Sequence, residues 1–563
     1  MTDSTLAGTS FATVKTFGAV GDGITDDTSA IGSAIIGSPG GVIFAPGTYL
    51  VSSNLTFNQG VGFLPSASIK VSSGVVITFN GAINAGVQQI FQLLGTARIV
   101  AASGYNSIGY AEWFGAVTST GMDCLAAITA CYTTFPLTQL QAGGYTLSGT
   151  LQLNVSGHKL AGYGRDWSTG AGSGTILVAS HNGDVVLLGT NTFPGSINNM
   201  TQDLSIRDLE VARALQPVIA SGCAGIRSSY NLYATIDNVR SAESMIGFIF
   251  VGTVSNRVDR CYASRTVAGS GLGTDSWKGF YVDGTSSLGA AGGNASIYLT
   301  NNSVGIGALT PGQMNPGFQG LVLDNQFSDT YVDRFESAGV PVGVAIYGDS
   351  GSTGSSFTNN DCFLDHLIID QFLYQGVYIT GMAYNGSITL SNSYFAPVNA
   401  TGPNACVQIE SNYGSVGIDG CQYVLDNSSG CIGLYVHNST NVTSGSRNVI
   451  LEPSAYGIYL NGVSDSRFSD RIKSIGNNAV AGVWITGTST RCKFDCSMNG
   501  VAGKIGVGYE TNDTGSFNEF NCSGINPYVL TGSSSANKLI LNGTQITSVG
   551  PTLYGNVASG VMN

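Results

Sequence analysis

The sequence predicts an all-β solenoid, a single-stranded parallel β-helix. Three observations predict it: a composition rich in turn residues yet able to fill a core, a glycine-centred repeat with a period in the mid-twenties, and short strands that alternate apolar and polar side chains. Glycine supplies 79 of 563 residues and hydrophobic residues make up 43%. Charged residues, at 10%, fall far below the usual ~25%. A disordered chain shows the opposite balance, with few apolar residues and much charge.

The repeat runs from about 200 to 525. Ile236-Asp237-Asn238-Val239, then Ser241-Ala242, then Gly247-Phe248-Ile249-Phe250-Val251-Gly252 aligns without a gap on Val332-Asp333-Arg334-Phe335, Ser337-Ala338 and Gly343-Val344-Ala345-Ile346-Tyr347-Gly348. Related copies begin at Val258-Asp259, Ile369-Asp370 and Ile418-Asp419. A glycine opens the second strand at 225, 247, 279, 320, 343, 376, 433, 457, 482 and 506, and the last three intervals are 24, 25 and 24 residues. Such a period, with short strands and polar turns, marks a solenoid in which one coil buries its apolar face only against the next. Strands such as Gly457-Ile458-Tyr459-Leu460-Asn461 alternate as a half-buried strand does. The Leu-x-x-Leu-x-Leu pattern of leucine-rich repeats and the Trp-Asp pairs of propellers are absent.

Between about 260 and 360 the repeat loosens, and the excess lies in Gly/Ser-rich segments 268–276, 284–295, 305–317 and 349–357. Insertions in a solenoid become loops on one face, often the binding face. A second internal repeat lies at the N-terminus. Phe17-Gly18-Ala19-Val20 recurs as Phe114-Gly115-Ala116-Val117, and each copy reads as a short helix followed by a Gly/Tyr turn and a strand, at Gly47-Thr48-Tyr49-Leu50 and Gly144-Tyr145-Thr146-Leu147. These are expected to be two capping units with a small β segment between them, at about 55–105. Three regions follow: cap units over 1–150, the parallel β-helix expected to carry the binding face over 151–525, and a C-terminal cap or inter-chain contact segment over 526–563.

The net charge of −12 argues against nucleic acid, whose binders carry basic stripes. No apolar run reaches the ~18–20 residues of a membrane span, and no signal peptide opens the chain, so folding in a cytoplasm is expected. The 11 cysteines are read as buried apolar thiols, because nothing in their spacing suggests disulfides or zinc. No cofactor and no metal are expected. Asp22, Asp26 and Asp27 are read as turn formers and helix caps.

Val14-Lys15-Thr16-Phe17-Gly18-Ala19-Val20-Gly21-Asp22-Gly23-Ile24-Thr25-Asp26-Asp27-Thr28 resembles the opening motif of the pectate-lyase-like superfamily. Glu112-Trp113-Phe114-Gly115-Ala116 resembles its second form in tailspikes of phages and prophages. The resemblance implies a right-handed single-stranded parallel β-helix, assembled as a homotrimer and held to a phage tail or baseplate by an adaptor. It also implies a tailspike depolymerase, carried on the virion, whose partner is a bacterial surface polysaccharide such as capsule or O-antigen. Arg471-Ile472-Lys473 resembles a polygalacturonase element, but no Asn-Thr-Asp or Gly-His-Gly partner precedes it; Leu364-Asp365-His366 faintly resembles a pectate-lyase element, and three residues carry little information.

Glycoside hydrolysis needs two carboxylates, about 5–5.5 Å apart for retention or 6.5–9.5 Å for inversion, and neighbouring coils ~4.8 Å apart can meet either spacing. Asp237, Asp259, Asp333, Asp370 and Asp419 recur at one phase and read mainly as turn formers. Glu336 breaks the repeat, because it aligns with Arg240 and follows the longest insertions. It is the expected catalytic carboxylate, with Asp333, Asp365 or Asp370 as partner, and Glu243 is a further candidate where Gly339 is the aligned residue. Trp277, Tyr331 and Tyr374 are expected to stack on sugars, Arg334 to meet an anionic group, and His366 to bind substrate or act as a lyase base. A non-catalytic receptor spike and a polysaccharide lyase are the alternative readings.

Overall fold

The structure is a computed structural model. It describes residues 11–555 except 103, 119–120, 166–173, 215–221, 266–276, 285–293, 307–316, 326, 349–360, 383–385, 399–404, 426–429, 476–478, 501–504, 510–517, 525–527, 532–537, 542–543 and 547–551. The chain clusters into two compact units. One comprises Met1–Ile226 with Asn231–Arg240, the other Arg227–Tyr230 with Ser241–Asn563.

In the first unit the two related copies fold alike. A 3₁₀ turn at Val14–Phe17 ends on left-handed Gly18, and its counterpart at Ala111–Phe114 ends on left-handed Gly115. Helices follow at Thr28–Gly37 and Leu125–Thr134. The Asp26 carboxylate accepts from the Thr28 amide and from the Ser52 hydroxyl. Asp123 does the same with Leu125 and Ser148, so each carboxylate ties its helix start to the following strand. Asp22 forms a turn by accepting from the Ile24 and Thr25 amides. Asp27 corrects the capping expectation: it immediately precedes the helix, yet its carboxylate accepts from Val20 and Gly21 at 2.6 and 3.1 Å and not from the helix.

The stretch between the copies is itself a three-sided solenoid. Val42–Phe44, Val61–Phe63 and Ile83–Ala85 form one parallel stack; Gly47–Val51, Ala67–Val71 and Phe91–Leu93 form the second; Leu55–Phe57, Val76–Phe79 and Arg98–Ala101 form the third. Phe44 stacks on Phe63 and Phe57 on Phe79, each pair with centroids 4.9 Å apart, filling the axis with rings.

In the second unit each coil has three strands. Thr330–Asp333, Glu336–Ala338 and Val342–Tyr347 make one coil; Asp361–Asp365, Ile368–Phe372 and Gln375–Thr380 make the next, strand above strand and parallel. This is a parallel β-helix. The repeating glycines stack in a row, and a Cβ on Gly343 would lie 2.3 Å from Ile369 Cγ2 and 2.6 Å from the Gly376 carbonyl. The glycine is therefore demanded by close approach at a corner. Cys406 takes the same register position, across from Gly376. The other sharp corner is made by one left-handed residue per coil: Arg260, Asn301, Arg334, His366, Asn392 and Gly420 have φ of 54, 54, 53, 52, 48 and 73°. Each follows a residue of one row, in register Asp259–Thr300–Asp333–Asp365–Ser391–Asp419. Asp370 is off this row. It pairs with Ala338 at the next corner, which corrects its alignment with Asp333.

The segments 268–276 and 349–357 lie outside the described residues, as do most of 284–295 and 305–317. Ten of the cysteines, from Cys124 to Cys496, are buried. Among the described residues no helix is long and apolar enough to cross a membrane.

Candidate functional site

Two outward faces of the second unit gather chemistry. The first belongs to the sheet that stacks Ile246–Val251, Lys278–Asp283, Gln319–Asp324, Val342–Tyr347, Gln375–Thr380, Ala405–Glu410, Ile432–His437, Tyr456–Asn461 and Ala481–Thr486. Because the pleat is anchored by the glycine row, outward positions fall one residue before, two after and four after each glycine. These positions hold Lys278, Tyr281 and Asp283 on one coil and Gln319 and Asp324 on the next.

Asp283 and Asp324 are direct register partners on adjacent coils. The Tyr281 hydroxyl donates to Asp324 Oδ2 at 2.9 Å, and the Lys278 ammonium lies 3.3 Å above the centre of the Tyr281 ring. The carboxylates and Lys278 are half-buried, and Tyr281 is 9% exposed. Burial raises the Asp324 carboxyl above the ordinary range, and the Asp283 charge adds to the rise; the Tyr281 hydroxyl and the Lys278 charge only partly oppose it. Burial lowers Lys278, against the two carboxylates. Burial and the same two acids push Tyr281 up, so it stays a donor. Gln319 Nε2 donates to the Tyr347 hydroxyl at 2.6 Å. Further along, Tyr378 donates to Glu410 at 3.0 Å, and His437 Nδ1 lies 3.3 Å from the same carboxylate. A carboxyl whose pKa is raised, beside a second carboxyl, is the kind of pair that acid–base chemistry at an acetal uses.

The second face carries the Asp row. His366 Nδ1 lies 3.1 Å from Asp333 Oδ1 and 3.0 Å from Asp365 Oδ2, and Arg334 Nε donates to Asp333 at 2.9 Å. Two residues earlier on the same face, Tyr298, Tyr331 and Phe363 stack across three coils with centroids 5.1 and 5.0 Å apart. The expected residues Asp333, Asp365, His366, Arg334 and Tyr331 are thus brought together. Burial favours a raised Asp365, but hydrogen bonds from Ser391 and Asn392 and the nearby His366 outweigh it and hold the carboxyl below the usual range. One atom from each of Asp333, Asp365 and His366 lies within 4.8 Å of the others, a spacing that fits a cation, although Arg334 already occupies Asp333.

The remaining expected residues are dispersed. Glu336 lies beyond the left-handed corner, exposed, in register with Ser303 and Ile368. Asp370 accepts from the Gln371 amide at 2.8 Å, a local turn bond. Glu243 sits at a left-handed bend, φ 60°, three coils before Glu336. Tyr374 is half-buried in the bend ahead of Gln375. Trp277 is 0% exposed and packs near Phe318 with centroids 6.4 Å apart, so it is core and offers no surface to a sugar. The residues missed were Lys278, Asp283, Asp324, Glu410 and His437. Lys278, Asp283, Asp324 and His437 stand at fixed offsets from a repeating glycine, whereas Glu410 follows Cys406, which interrupts the row.

Residues 11–91 match the family described as rhamnogalacturonase A/epimerase, pectate lyase-like. The match covers the opening residues of the chain, and the fold it accompanies is a parallel β-helix. No curated protein matches the chain. Among solved structures it is similar to tailspike protein 3 of bacteriophage CBA120, at 13% identity over 78% of this chain and 62% of that one, with a TM-score of 0.45. It is also similar to the catalytic unit of the GH87 α-1,3-glucanase of Streptomyces thermodiastaticus, at 13% identity over 76% of this chain and 68% of that one, with a TM-score of 0.44. A third is the A-module of the mannuronan C-5 epimerase AlgE6 of Azotobacter vinelandii, at 14% identity over 77% and 98%, with a TM-score of 0.36. The chain spans less than two thirds of the length of the tailspike.

Proposed function

We propose that this protein binds a polysaccharide along the glycine-anchored sheet and hydrolyses it, with Asp324 as general acid and Asp283 as its partner carboxylate. The observation that carries the reading is the register pairing of Asp283 with Asp324, the latter holding its proton to higher pH than an ordinary carboxyl. Asp324 gives its proton to the glycosidic oxygen as the bond to the anomeric carbon breaks. Asp283 attacks that carbon as nucleophile or takes a proton from the attacking water. The Tyr281 hydroxyl and the Lys278 charge then steady the Asp324 carboxylate left behind.

The resemblance of the two opening motifs to phage tailspikes supports a bacterial surface polysaccharide as substrate, with capsule and O-antigen the first to test. It equally supports a homotrimeric virion component fixed by a tail adaptor. The Asp333–Asp365–His366 face is assigned a secondary, binding role, because Asp365 is held in its ionised form and supplies no acid. The lowered Lys278 offers a lyase base as a second reading, but the two carboxylates beside it repel the uronate that a lyase must hold. Incubation with capsular and O-antigen polysaccharides distinguishes the outcomes. New reducing ends without ultraviolet absorbance mark a hydrolase, absorbance at the unsaturated-uronate band marks a lyase, and binding without shortening marks a receptor spike.

A further inference from the structure

The same sheet face continues past the acid pair into an aromatic surface. Tyr435, Tyr459 and Trp484 occupy the position two after the glycine on three successive coils, and Tyr456 sits one before it. Ring centroids are 5.2 Å apart for Tyr435–Tyr459, 5.0 Å for Tyr456–Tyr459 and 5.9 Å for Tyr456–Trp484, with interplanar angles of 44, 37 and 39°. All four side chains are half-buried, so part of each ring reaches the surface. Tilted rings present face as well as edge, which is what a sugar's C–H face meets.

The face has a consistent charge. Across the three outward rows from Ile246–Val251 to Ala481–Thr486, the acidic residues are Asp283, Asp324 and Glu410. Apart from His437, Lys278 is the one basic residue there, and its ammonium is engaged over the Tyr281 ring. Four coil steps separate Asp324 from Tyr435 and six separate it from Trp484, about 19 and 29 Å at ~4.8 Å per step.

We infer that Tyr435, Tyr456, Tyr459 and Trp484 form a remote binding platform for an uncharged polysaccharide whose chain runs along the coils from the Asp283–Asp324 pair. The inference rests on the catalytic reading for what lies at the other end of the chain, and the platform itself stands on its own residues. A polyanion would meet three carboxylates offset only by Lys278 and His437, whereas a neutral chain gains ring contacts and side-chain amide hydrogen bonds from Gln319, Gln375 and Gln408. Binding so far from the cleavage point selects long chains cut internally.

The test uses the full chain carrying Asp324→Asn, so that bound glycan is not consumed. The probes are purified O-polysaccharides in two sets, one with uncharged repeats and one with uronate- or phosphate-bearing repeats. Trp484 emission is isolated by difference against Trp484→Phe, since the chain has four tryptophans. An uncharged member is expected to bind and shift that emission, and Tyr459→Ala is expected to weaken its binding about two- to ten-fold. Binding that leaves Trp484 emission unchanged, or binders drawn only from the charged set, overturns the inference. If Asp324→Asn still shortens the glycan, the catalytic reading fails while the emission decides the platform separately. A panel with no binder in either set overturns both.

Discussion

Tyr281 and Asp324 meet across two coils, the phenol donating to Oδ2 at 2.9 Å, with Asp283 in register beside Asp324. That bond joins a group burial keeps protonated to an acid burial keeps weak, and it sits where the sheet offers both a proton and a carboxylate.

Asp324→Asn is expected to lower the rate of reducing-end release by about 10²–10⁴-fold, the usual contribution of a general acid. Asp283→Asn is expected to be comparably damaging. Glu336→Gln, on the far side of the left-handed corner, is expected to leave the rate near that of the unaltered protein. A selective loss in Glu336→Gln would move the site to the other face.

The pH profile of kcat follows from the same pair. The acid must be protonated, so activity falls as pH rises through the Asp324 pKa, which burial and Asp283 place above the ordinary carboxylate range. Lys278 opposes that rise, so Lys278→Met is expected to move the descending limb to still higher pH. A limb that does not move would separate Lys278 from the acid.

A second buried acid governs stability. Asp470 lies inside the coil, accepting from Ser444 and Asn448, and its Oδ2 has no hydrogen-bond partner among the described residues. Burial raises it from 3.8 to about 6. Its folded pKa exceeds its unfolded one, so its stability is full below about pH 4 and is lost as pH rises through about 6. The loss amounts to ~3 kcal/mol. Asp470→Asn is expected to flatten the fall in urea midpoint between about pH 4 and 7, and an unchanged slope would contradict the assignment.

Gly343→Ala is expected to destabilise by ~1–3 kcal/mol through overpacking, because its Cβ would press on Ile369 and on the Gly376 carbonyl. Gly417→Ala, whose nearest neighbour is the Ile388 carbonyl at 4.0 Å, is expected to be tolerated. Thermal unfolding of the two variants reads the contrast.

The glycine row explains how much was legible. Its mid-twenties interval announced the coil, and the doubled Phe-Gly-Ala-Val motif announced two capping units whose Asp26 and Asp123 bonds are alike. The row was interrupted in the sequence only because Cys406 fits where glycine usually does. The site was less legible because breaks in the repeat drew attention to Glu336, whereas side-chain direction depends on phase. Trp277, two before its glycine, points inward; Tyr281, two after the same glycine, points outward. The repeat aligns Asp370 with Asp333, because a coil of unequal length hides that Asp365 is the residue opposite Asp333 and that Asp370 stands opposite Ala338. Burial and the company of Asp283, which make Asp324 an acid, come from the stacking of coils and have no signature in one strand.

The most direct measurement is reducing-end release from bacterial surface polysaccharides by the unaltered protein, by Asp324→Asn and by Asp283→Asn, with folding of each checked by circular dichroism. Chain shortening by the unaltered protein that disappears in both folded variants is the predicted result. Shortening that survives in either variant contradicts the assignment of the Asp283–Asp324 pair.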